Sequence, residues 1–316
     1  MRSGIAALFA AAAAAMSVTS GPHPGYAADW VGKATEQQQA HCAALEELSF
    51  RGPCLFTYSV RGLTFPDKAE EPGIFTKTAR MGIFKPKGEG PFPALLILHS
   101  CAAVDFDPDH IQAWVNRAVK EGYVAFVVDS WGQRGIPELC RTSPPGFLSS
   151  HLYVRARDGY EALAHLRKFS FVDIARVGAV GFSNGGRTSY MLGSAQMAQA
   201  FSPDKLRFAA LAAVYGQCLF MRPDVDRPIL ALLGELDEDG NPRDCVPRFR
   251  RLKDLGIPVE WHVFPKIGHA WDSPKFRIPQ RLSYLGSSEV LFAYDANVAE
   301  GSRNRVFEFF ARYLKT

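Results

Sequence analysis

The sequence of 316 residues lacks a strong excess of either charge. Its 36 Lys and Arg stand against 32 Asp and Glu, which leaves a formal net charge of +4. The one dense basic run is Arg248, Arg250 and Arg251, whose helical spacing is typical of a solvated face. A nucleic-acid-binding surface requires a larger basic patch. We therefore predict no nucleic-acid partner.

Metal-ligand patterns are also missing. The chain contains no C-x-x-C motif and no closely spaced pair of histidines, which are the spacings that structural zinc sites use. It has no internal repeat and no low-complexity segment. We predict that the protein binds neither a metal nor a cofactor.

A long membrane-spanning apolar run is absent as well, although the N-terminus begins with a short one. Arg2 supplies a positive start, residues 5–16 are apolar and rich in alanine, and small residues surround Ala27 and Ala28. This pattern predicts an export signal over residues 1–28, cleaved after Ala27 or Ala28, with a retained anchor as the alternative. The mature chain is expected to be periplasmic or secreted and without a stable membrane anchor.

The six cysteines all follow that predicted cleavage point. An even number of cysteines in an exported chain favours disulfide bonds, and six cysteines allow about fifteen connectivities. Proximity along the chain favours three pairs, namely Cys42 with Cys54 and Cys218 with Cys245, leaving Cys101 with Cys140.

Short apolar runs alternate with helical patterns from residue 79 to the C-terminus. Several of these runs are continuous, as expected of strands buried on both faces of a parallel sheet. We predict strands at 79–84, 93–99, 123–128, 176–182, 208–215, 228–234 and 259–264, and helices at 109–121, 151–169, 185–199, 246–255 and 296–314. The fold class is therefore α/β, with a mostly parallel, doubly wound sheet flanked by helices.

The chain is divided by these patterns into three parts. Residues 1–28 are the predicted signal peptide, residues 29–78 an N-terminal extension packing on the main domain, and residues 79–316 the main domain. Within the extension we predict a helix at 34–48, ended by the Arg51-Gly52-Pro53-Cys54 segment, and a surface loop at 61–78.

A G-x-S-x-G motif, Gly181-Phe182-Ser183-Asn184-Gly185, lies between a predicted strand and a predicted helix. A serine on such a strand-to-helix turn is exposed as a nucleophile above the sheet. A Cβ at position 181 or 185 would collide with the nearby backbone, so both positions need glycine. The N-terminus of the following helix favours negative charge near Ser183. A simple turn between glycines is the alternative interpretation.

A serine nucleophile needs a base to take its proton and a carboxylate to orient that base. Both are expected just after strands, since ligands of such sheets bind beyond the carboxyl ends of the strands. Asp237 and His269 occupy such positions and follow Ser183 in the chain order typical of this topology. Four other acids share the Asp237 loop and remain alternatives: Glu235, Glu238, Asp239 and Asp244.

Other polar and aromatic side chains have simpler interpretations. His99 is expected to be a structural partner beneath the loop that follows its strand, and Asp129 to cap the next loop. Trp131 and Trp271 line the pocket or lie in the core. The remaining histidines considered are expected to be packing or surface residues: His110, His151, His165 and His262.

Four segments together resemble the dienelactone hydrolase branch of the α/β-hydrolase fold: GFSNGG, LLGELD, PKIGHAWD and YDANVAEGSRNRVFEFFARYL. The resemblance extends from about Ala79 to the C-terminus. It implies a serine hydrolase that acts on a small ester or lactone. The namesake enzymes carry a cysteine nucleophile where this chain has Ser183. Their oxyanion segment is often rich in glycine, whereas here it is Ser100-Cys101-Ala102-Ala103.

On this resemblance, Ser183 attacks the substrate carbonyl, His269 moves the proton and Asp237 orients His269. The backbone N–H groups of Cys101 and Asn184 are the expected oxyanion hole. A peptidase or an acyltransferase with the same triad is the alternative within enzymes. A binding protein that has kept the pocket without catalysis is the alternative outside them.

Overall fold

The computed structural model of the protein describes residues 30–45, 50–71, 81–136, 138–140, 150–283 and 289–315. The predicted signal peptide, residues 1–28, lies outside these ranges with its cleavage site. Residue 29, where the predicted extension begins, lies outside them too. Residues 141–149, in the loop predicted after Asp129, and residues 284–288 also lie outside them.

Eight strands form one sheet in the order β1-β2-β4-β3-β5-β6-β7-β8. Neighbouring strands are parallel throughout, except that β2 pairs with β4 in the antiparallel direction. This arrangement confirms the predicted α/β class. The strands are β1 Ala69–Glu70, β2 Gly82–Phe84, β3 Phe92–Leu98, β4 Val124–Val128, β5 Val172–Phe182, β6 Ala210–Val214, β7 Ile229–Gly234 and β8 Val259–Phe264.

Eight α-helices connect and cover these strands within the described ranges. None of these helices has both the length and the apolar character needed to cross a membrane. The helices are α1 Glu36–Ala44, α2 Arg51–Ser59, α3 Pro108–Lys120, α4 His151–Leu166, α5 Asn184–Leu192, α6 Ala195–Phe201, α7 Pro242–Asp254 and α8 Ala296–Leu314.

The central strands are buried on both faces, which is why their sequences are continuously apolar. In β3, Leu96 packs on one side with residues of α4, α5 and α7. Its neighbour Leu95 packs on the other side with residues of α3 and α8. Successive side chains of a strand point to opposite faces, so each strand contributes to two apolar cores.

Several local predictions are wrong. The segment at Arg51 begins helix α2 instead of ending a helix. Pro53 is tolerated there because the first turn of a helix has no intrahelical acceptor for its N–H groups. The predicted helix at 185–199 is two helices, since Ser194 caps α6 by accepting from the Met197 N–H. The predicted surface loop at 61–78 contains β1.

A further antiparallel hairpin follows β8, in a part of the chain where no strand is predicted from the sequence. Its strands are β9 Gln280–Ser283 and β10 Glu289–Phe292. The hairpin lies outside the main sheet. It bears directly on the candidate active site, as described below.

Helices α1 and α2 pack against the main body of the protein. Cys42, Phe50 and Cys54 are buried in the same core as residues of α4 and α6. His41 Nε2 and the Tyr58 hydroxyl both lie within hydrogen-bond distance of the Ala200 carbonyl oxygen, at 2.9 and 3.0 Å. The N-terminal part is thus joined to the far end of α6 by polar as well as apolar contacts.

All six cysteines form disulfide bonds, and no free cysteine remains. The three pairs expected from chain proximity are confirmed. They are Cys42–Cys54, Cys101–Cys140 and Cys218–Cys245.

The Cys218–Cys245 bridge is expected to contribute roughly 2 to 4 kcal/mol to the free energy of unfolding. It joins residues 27 positions apart, so cutting it releases a sizeable loop in the unfolded chain. Replacing both cysteines by alanine should lower the urea midpoint accordingly. Titration of the denatured, non-reduced wild type should find no thiol. Detection of two or more thiols per chain would contradict the bridge assignment.

Candidate active site

Ser183 stands on the turn between β5 and α5 with a strained backbone. Its φ of 51° and ψ of −112° are unusual for a residue with a side chain, and such strain is found at functional sites. A Cβ on Gly181 would lie 2.0 Å from the Gly185 carbonyl oxygen, and one on Gly185 would lie 2.1 Å from the Leu98 carbonyl oxygen. The predicted need for glycine at both positions is therefore confirmed.

A continuous chain of hydrogen bonds joins Ser183, His269 and Asp237. The His269 Nε2 atom lies 2.9 Å from the Ser183 hydroxyl oxygen, and its Nδ1 atom lies 2.8 Å from Asp237 Oδ2. Asp237 follows β7 and His269 follows β8, so residues distant in sequence meet at the carboxyl edge of the sheet. All three side chains are buried.

The structure selects Asp237 from the acids that share its loop. Its Oδ1 accepts from the backbone N–H groups of Asp239 and Gly240 at 2.9 and 3.0 Å, which leaves Oδ2 to His269. The other acids have different positions. Glu235 accepts from the Lys266 N–H, Glu238 accepts from the Leu291 N–H, Asp239 pairs with Arg187, and Asp244 lies in the first turn of α7.

The β9–β10 hairpin holds the loop that carries His269. The His269 N–H donates to the Leu291 carbonyl at 2.6 Å, and the Ala293 N–H donates to the His269 carbonyl at 3.3 Å. The imidazole lies between two aromatic rings, Tyr215 at 4.8 Å and Phe292 at 5.0 Å between ring centroids. Backbone and ring of His269 are therefore both constrained.

The pKa of His269 is raised above its ordinary value. Burial acts in the opposite direction, because it disfavours the charged imidazolium. The Asp237 carboxylate outweighs burial through its charge and its hydrogen bond, and Asp239 adds to it. The site thus stabilises the protonated form of the histidine.

A cavity of about 300 Å³ opens at Ser183 and His269. Most of its wall is apolar, and the polar groups at its wall include Asp107, His110, Glu138 and Lys275. Its apolar wall includes Val104, Phe106, Ile111, Phe276, Leu282 and Phe292. The volume lies at the small end of the range for ligand sites.

The two residues predicted for the oxyanion hole, Cys101 and Asn184, belong to two different segments of the chain. Cys101 lines the same cavity as Ser183, and the N–H of Leu139 donates to its carbonyl at 2.8 Å. Asn184 is the first residue of α5, where backbone N–H groups have no intrahelical acceptor. The Cys101–Cys140 bridge ties the first of these segments to the cavity wall.

A second buried histidine–aspartate pair, His110 with Asp272, lies beside this site and is not among the predictions from the sequence. Asp272 accepts from His110 Nε2 at 2.9 Å, from Trp114 Nε1 at 2.8 Å and from the Tyr215 hydroxyl at 2.7 Å. Burial opposes both charges, yet mutual attraction raises the pKa of His110 and lowers that of Asp272. Tyr215, which packs on His269, is thereby fixed at its hydroxyl end.

The prediction of a plain packing role for His110 is therefore incomplete, because this residue pairs with Asp272 and reaches the cavity wall. Its position in the first turn of α3, three residues after the helix cap Asp107, gives no sign of a partner in the loop after β8. The placement of Asp272 three residues after His269 is the one signal in the sequence for this network.

Other predicted roles agree with the contacts. His99 Nδ1 bonds to the carbonyl of Ala102 at 2.6 Å, and its Nε2 accepts from the Ser130 N–H at 3.1 Å. Burial lowers the pKa of His99 well below its usual value, so it supports the loop as a neutral ring. Asp129 accepts from two backbone N–H groups of the next loop. Trp131 and Trp271 are fully buried in the cores.

The remaining predicted packing histidines have backbone, side-chain or ring partners. His151 bonds to Asn184, His165 bonds to the Pro66 carbonyl, and His262 packs on the Phe264 ring. Within the part of the chain that the structure describes, no group of three or more His, Cys, Asp or Glu side chains is arranged to hold a metal ion.

Residues 80–314 match the model of the dienelactone hydrolase family. The chain belongs to this family. A relative from Escherichia coli O157:H7 named "Putative carboxymethylenebutenolidase" is 26% identical over 248 residues, which cover 72% of this chain and 80% of the relative. A relative of the same name from Methylorubrum extorquens is 24% identical over 215 residues, covering 61% of this chain and 68% of the relative.

Solved structures share the fold. One from Klebsiella pneumoniae, named "Putative Dienelactone Hydrolase", aligns with a TM-score of 0.55 at 22% identity, covering 78% of this chain and 99% of that one. The dienelactone hydrolase-like promiscuous phosphotriesterase P91, from metagenomic libraries, aligns with a TM-score of 0.51 at 19% identity, covering 72% and 88%. The protein thus has the α/β-hydrolase fold, and its family membership makes it a hydrolase.

Proposed function

We propose that this protein is an exported serine hydrolase that cleaves carboxylic esters or lactones of small substrates through an acyl-enzyme on Ser183. The main support for the proposal is the buried arrangement in which Ser183 is hydrogen-bonded to His269 and His269 to Asp237. A serine alone is a weak nucleophile, whereas this arrangement supplies a base and a group that orients the base.

In the proposed mechanism, Ser183 Oγ attacks the carbonyl carbon while its proton moves to His269 Nε2. The tetrahedral intermediate collapses, the ester C–O bond breaks, and the leaving alkoxide takes that proton. Water then attacks the acyl carbon and gives a proton to His269. The bond between the acyl carbon and Ser183 Oγ breaks, Oγ receives this proton back, and the carboxylic acid leaves. Asp237 keeps the Nδ1–H tautomer and stabilises the imidazolium formed in each half-reaction.

The oxyanion of each intermediate is proposed to accept from the backbone N–H groups of Cys101 and Asn184. These residues lie on the loop after β3 and at the first position of α5, so the two donors approach from different segments. The partial positive charge of the α5 N-terminus adds to their effect. A donor of this type is worth about 3 kcal/mol of barrier.

The size of the cavity supports a small substrate. A volume of about 300 Å³ with a largely apolar wall suits a short acyl group or a small lactone ring rather than a long chain. The related proteins named as carboxymethylenebutenolidases also suggest lactones as substrates to test.

Export is supported by two independent features. Residues 1–28 have the pattern of a cleaved signal, and the remaining chain holds three disulfides and no free cysteine. Such bonds persist in oxidising compartments and are rare in the cytosol. We propose a periplasmic or secreted protein, with residues 29–78 as an extension on a main domain that spans residues 79–316.

Hydrolysis of p-nitrophenyl esters is the direct test. We expect the mature protein to cleave the acetate fastest and to lose activity steadily toward the decanoate, because the cavity excludes long acyl chains. The measurement is kcat/KM along the series, with a small lactone in parallel. Chromogenic peptides cleaved as fast as the esters would favour a peptidase instead. Folded protein that turns over no ester or lactone would contradict the proposal.

The activity is also expected to depend on pH through His269. The base must be neutral to accept the Ser183 proton, and its pKa is raised above the ordinary 6.5. Activity should therefore fall as the pH drops through that raised pKa. A profile of kcat/KM from about pH 5 to about pH 9 reports this value for the free enzyme. An acid limb centred well below 6.5 would show that another group controls the reaction.

A further inference from the structure

We propose that Arg155, a buried residue of α4, is a positioning residue that holds the two halves of the oxyanion hole in register. The inference rests on the proposed function, since it concerns the donors Cys101 and Asn184. Arg155 lies within the helix predicted at 151–169 and is not among the site residues predicted from the sequence.

The guanidinium of Arg155 joins two separate segments of the chain. Its Nη1 donates to the Ser100 carbonyl at 3.0 Å and to Asn184 Oδ1 at 2.6 Å, and its Nη2 donates to the His99 carbonyl at 2.6 Å. The first and third acceptors lie on the loop after β3, whereas Asn184 begins α5. One rigid, planar group therefore sets the distance between these segments.

The contact with Ser100 determines the direction of the Cys101 N–H. The Ser100 carbonyl and the Cys101 N–H belong to one peptide group, which is planar and trans, so they point in opposite directions. Holding the carbonyl toward the buried Arg155 turns the N–H the other way. His99 Nδ1, 3.0 Å from the same carbonyl, holds it from a second side. Hydrogen bonds to the carbonyl oxygen also polarise the peptide and strengthen its N–H as a donor.

The contact with Asn184 fixes the other donor residue. Its side-chain amide bonds to Arg155 through Oδ1 and to His151 Nε2 through Nδ2, the latter at 2.8 Å. His151 and Arg155 are four residues apart on α4, so they lie on the same face of that helix. Helix α4 thereby holds the first residue of α5, whose backbone N–H is the proposed donor.

The charge of Arg155 has the sign that an oxyanion needs. The residue is only 1% exposed, and burial lowers its pKa to about 9, so it stays protonated at neutral pH. It makes no ion pair within 4 Å in the described part of the chain, while the nearby Asp158 is bound by Arg134 at 2.7 and 2.8 Å. Its hydrogen-bond partners are carbonyl oxygens, and its guanidinium also packs on the Trp131 ring. The charges of Asp158 and Asp129 act on it only from a longer distance.

The test compares Arg155→Lys with Arg157→Lys. Arg157 is a matched control, because it is a buried arginine on the same helix whose partners are the Val60 carbonyl, at 2.8 Å, and neighbouring acids. We expect Arg155→Lys to lower kcat on p-nitrophenyl acetate about 10- to 100-fold, with KM changed less than about threefold. Arg157→Lys should lower thermal stability and leave kcat near the wild-type value.

Inhibition by a trifluoromethyl ketone distinguishes a positioning role of Arg155 from a purely structural one. This inhibitor forms a tetrahedral adduct with the serine, so its oxyanion requires the donors. Its inhibition constant for Arg155→Lys should rise by the same factor as kcat falls, whereas binding of a non-reacting product acid should not change. Equal loss in Arg155→Lys and Arg157→Lys, or full kcat in a folded Arg155→Lys variant, would overturn the proposal.

Asn184→Leu tests the same link from the other side and does not depend on the stability of the Arg155 variants. It removes the acceptor of Arg155 but keeps the backbone N–H of residue 184. We expect kcat to fall about tenfold with KM unchanged, and an unchanged kcat in this variant would also overturn the proposal. A different result would contradict the proposed function itself: full activity in Ser183→Ala. That result does not depend on the behaviour of the Arg155 variants.

Discussion

Replacing Ser183 by alanine is expected to lower kcat on small esters by about 10⁴- to 10⁶-fold. The hydroxyl oxygen forms the bond to the acyl group in the proposed mechanism, and alanine has no atom that can replace it. His269 and Asp237 then have nothing to activate, since members of such a triad act as a unit. The KM should change little, because the cavity wall is otherwise intact. The measurement is steady-state hydrolysis of p-nitrophenyl acetate.

Ser189→Ala is the matched control for this substitution. Ser189 is also buried and lies on α5, six residues after Ser183, and its hydroxyl has no hydrogen-bond partner among the residues that the structure describes. We expect this variant to keep wild-type activity. A fluorophosphonate probe should label the wild type and Ser189→Ala but not Ser183→Ala. Full esterase activity in Ser183→Ala would rule out the acyl-enzyme, and absence of labelling in folded wild type would favour a binding protein.

Replacing Asp237 by asparagine is expected to lower kcat by about 10⁴-fold, as loss of the orienting carboxylate does in other triads. The carboxylate accepts from His269 Nδ1 at 2.8 Å, which places the imidazole proton on Nδ1 and leaves Nε2 free to accept from Ser183. An amide can donate to Nδ1 instead and favour the opposite tautomer. Nε2 then carries the proton and cannot act as the base.

Asp239→Asn is the control, because it makes the same change two residues further along the same loop. The Asp239 carboxylate pairs with Arg187 and does not bond to His269, so we expect less than about a tenfold loss. Asp237→Asn should also shift the acid limb of the pH profile to lower pH. Without the Asp237 carboxylate, burial and Arg187 both lower the pKa of His269, and only the smaller effect of Asp239 still raises it. A larger loss in Asp239→Asn than in Asp237→Asn would reassign the acid.

Strands β2 to β8 of the main sheet were predictable because each is a local pattern, whereas β1 lies in a segment predicted as a loop. A run such as residues 93–98 is short and continuously apolar. Such a run is typical of a strand that is covered on both faces of the sheet. Helix α2 was not predictable from its first residues, since Pro53 suggests a helix end unless the register is known. The β9–β10 hairpin was missed because each of its strands has only four residues and β9 is mostly exposed, so the apolar pattern is short and, in β9, weak.

The contacts around the candidate site were only partly predictable, for a related reason. His269 was identifiable as a residue after a strand, but its position depends on the backbone of Leu291 and on the rings of Tyr215 and Phe292. Arg155 has an unremarkable position in the sequence. Its role follows from burial against two other segments, which no local pattern contains.

By itself the sequence determined the fold class, the glycines at 181 and 185, the serine between them, the histidine after β8 and an acid-rich loop after β7. These features depend on interactions among residues near in the chain, which a pattern of residue types can express. The tertiary structure alone decided which of the loop acids meets His269, that Asp272 pairs with His110, and that Arg155 joins Ser100 to Asn184. Such contacts depend on distances of a few ångströms between segments far apart in sequence, and only the packed sheet and helices set those distances.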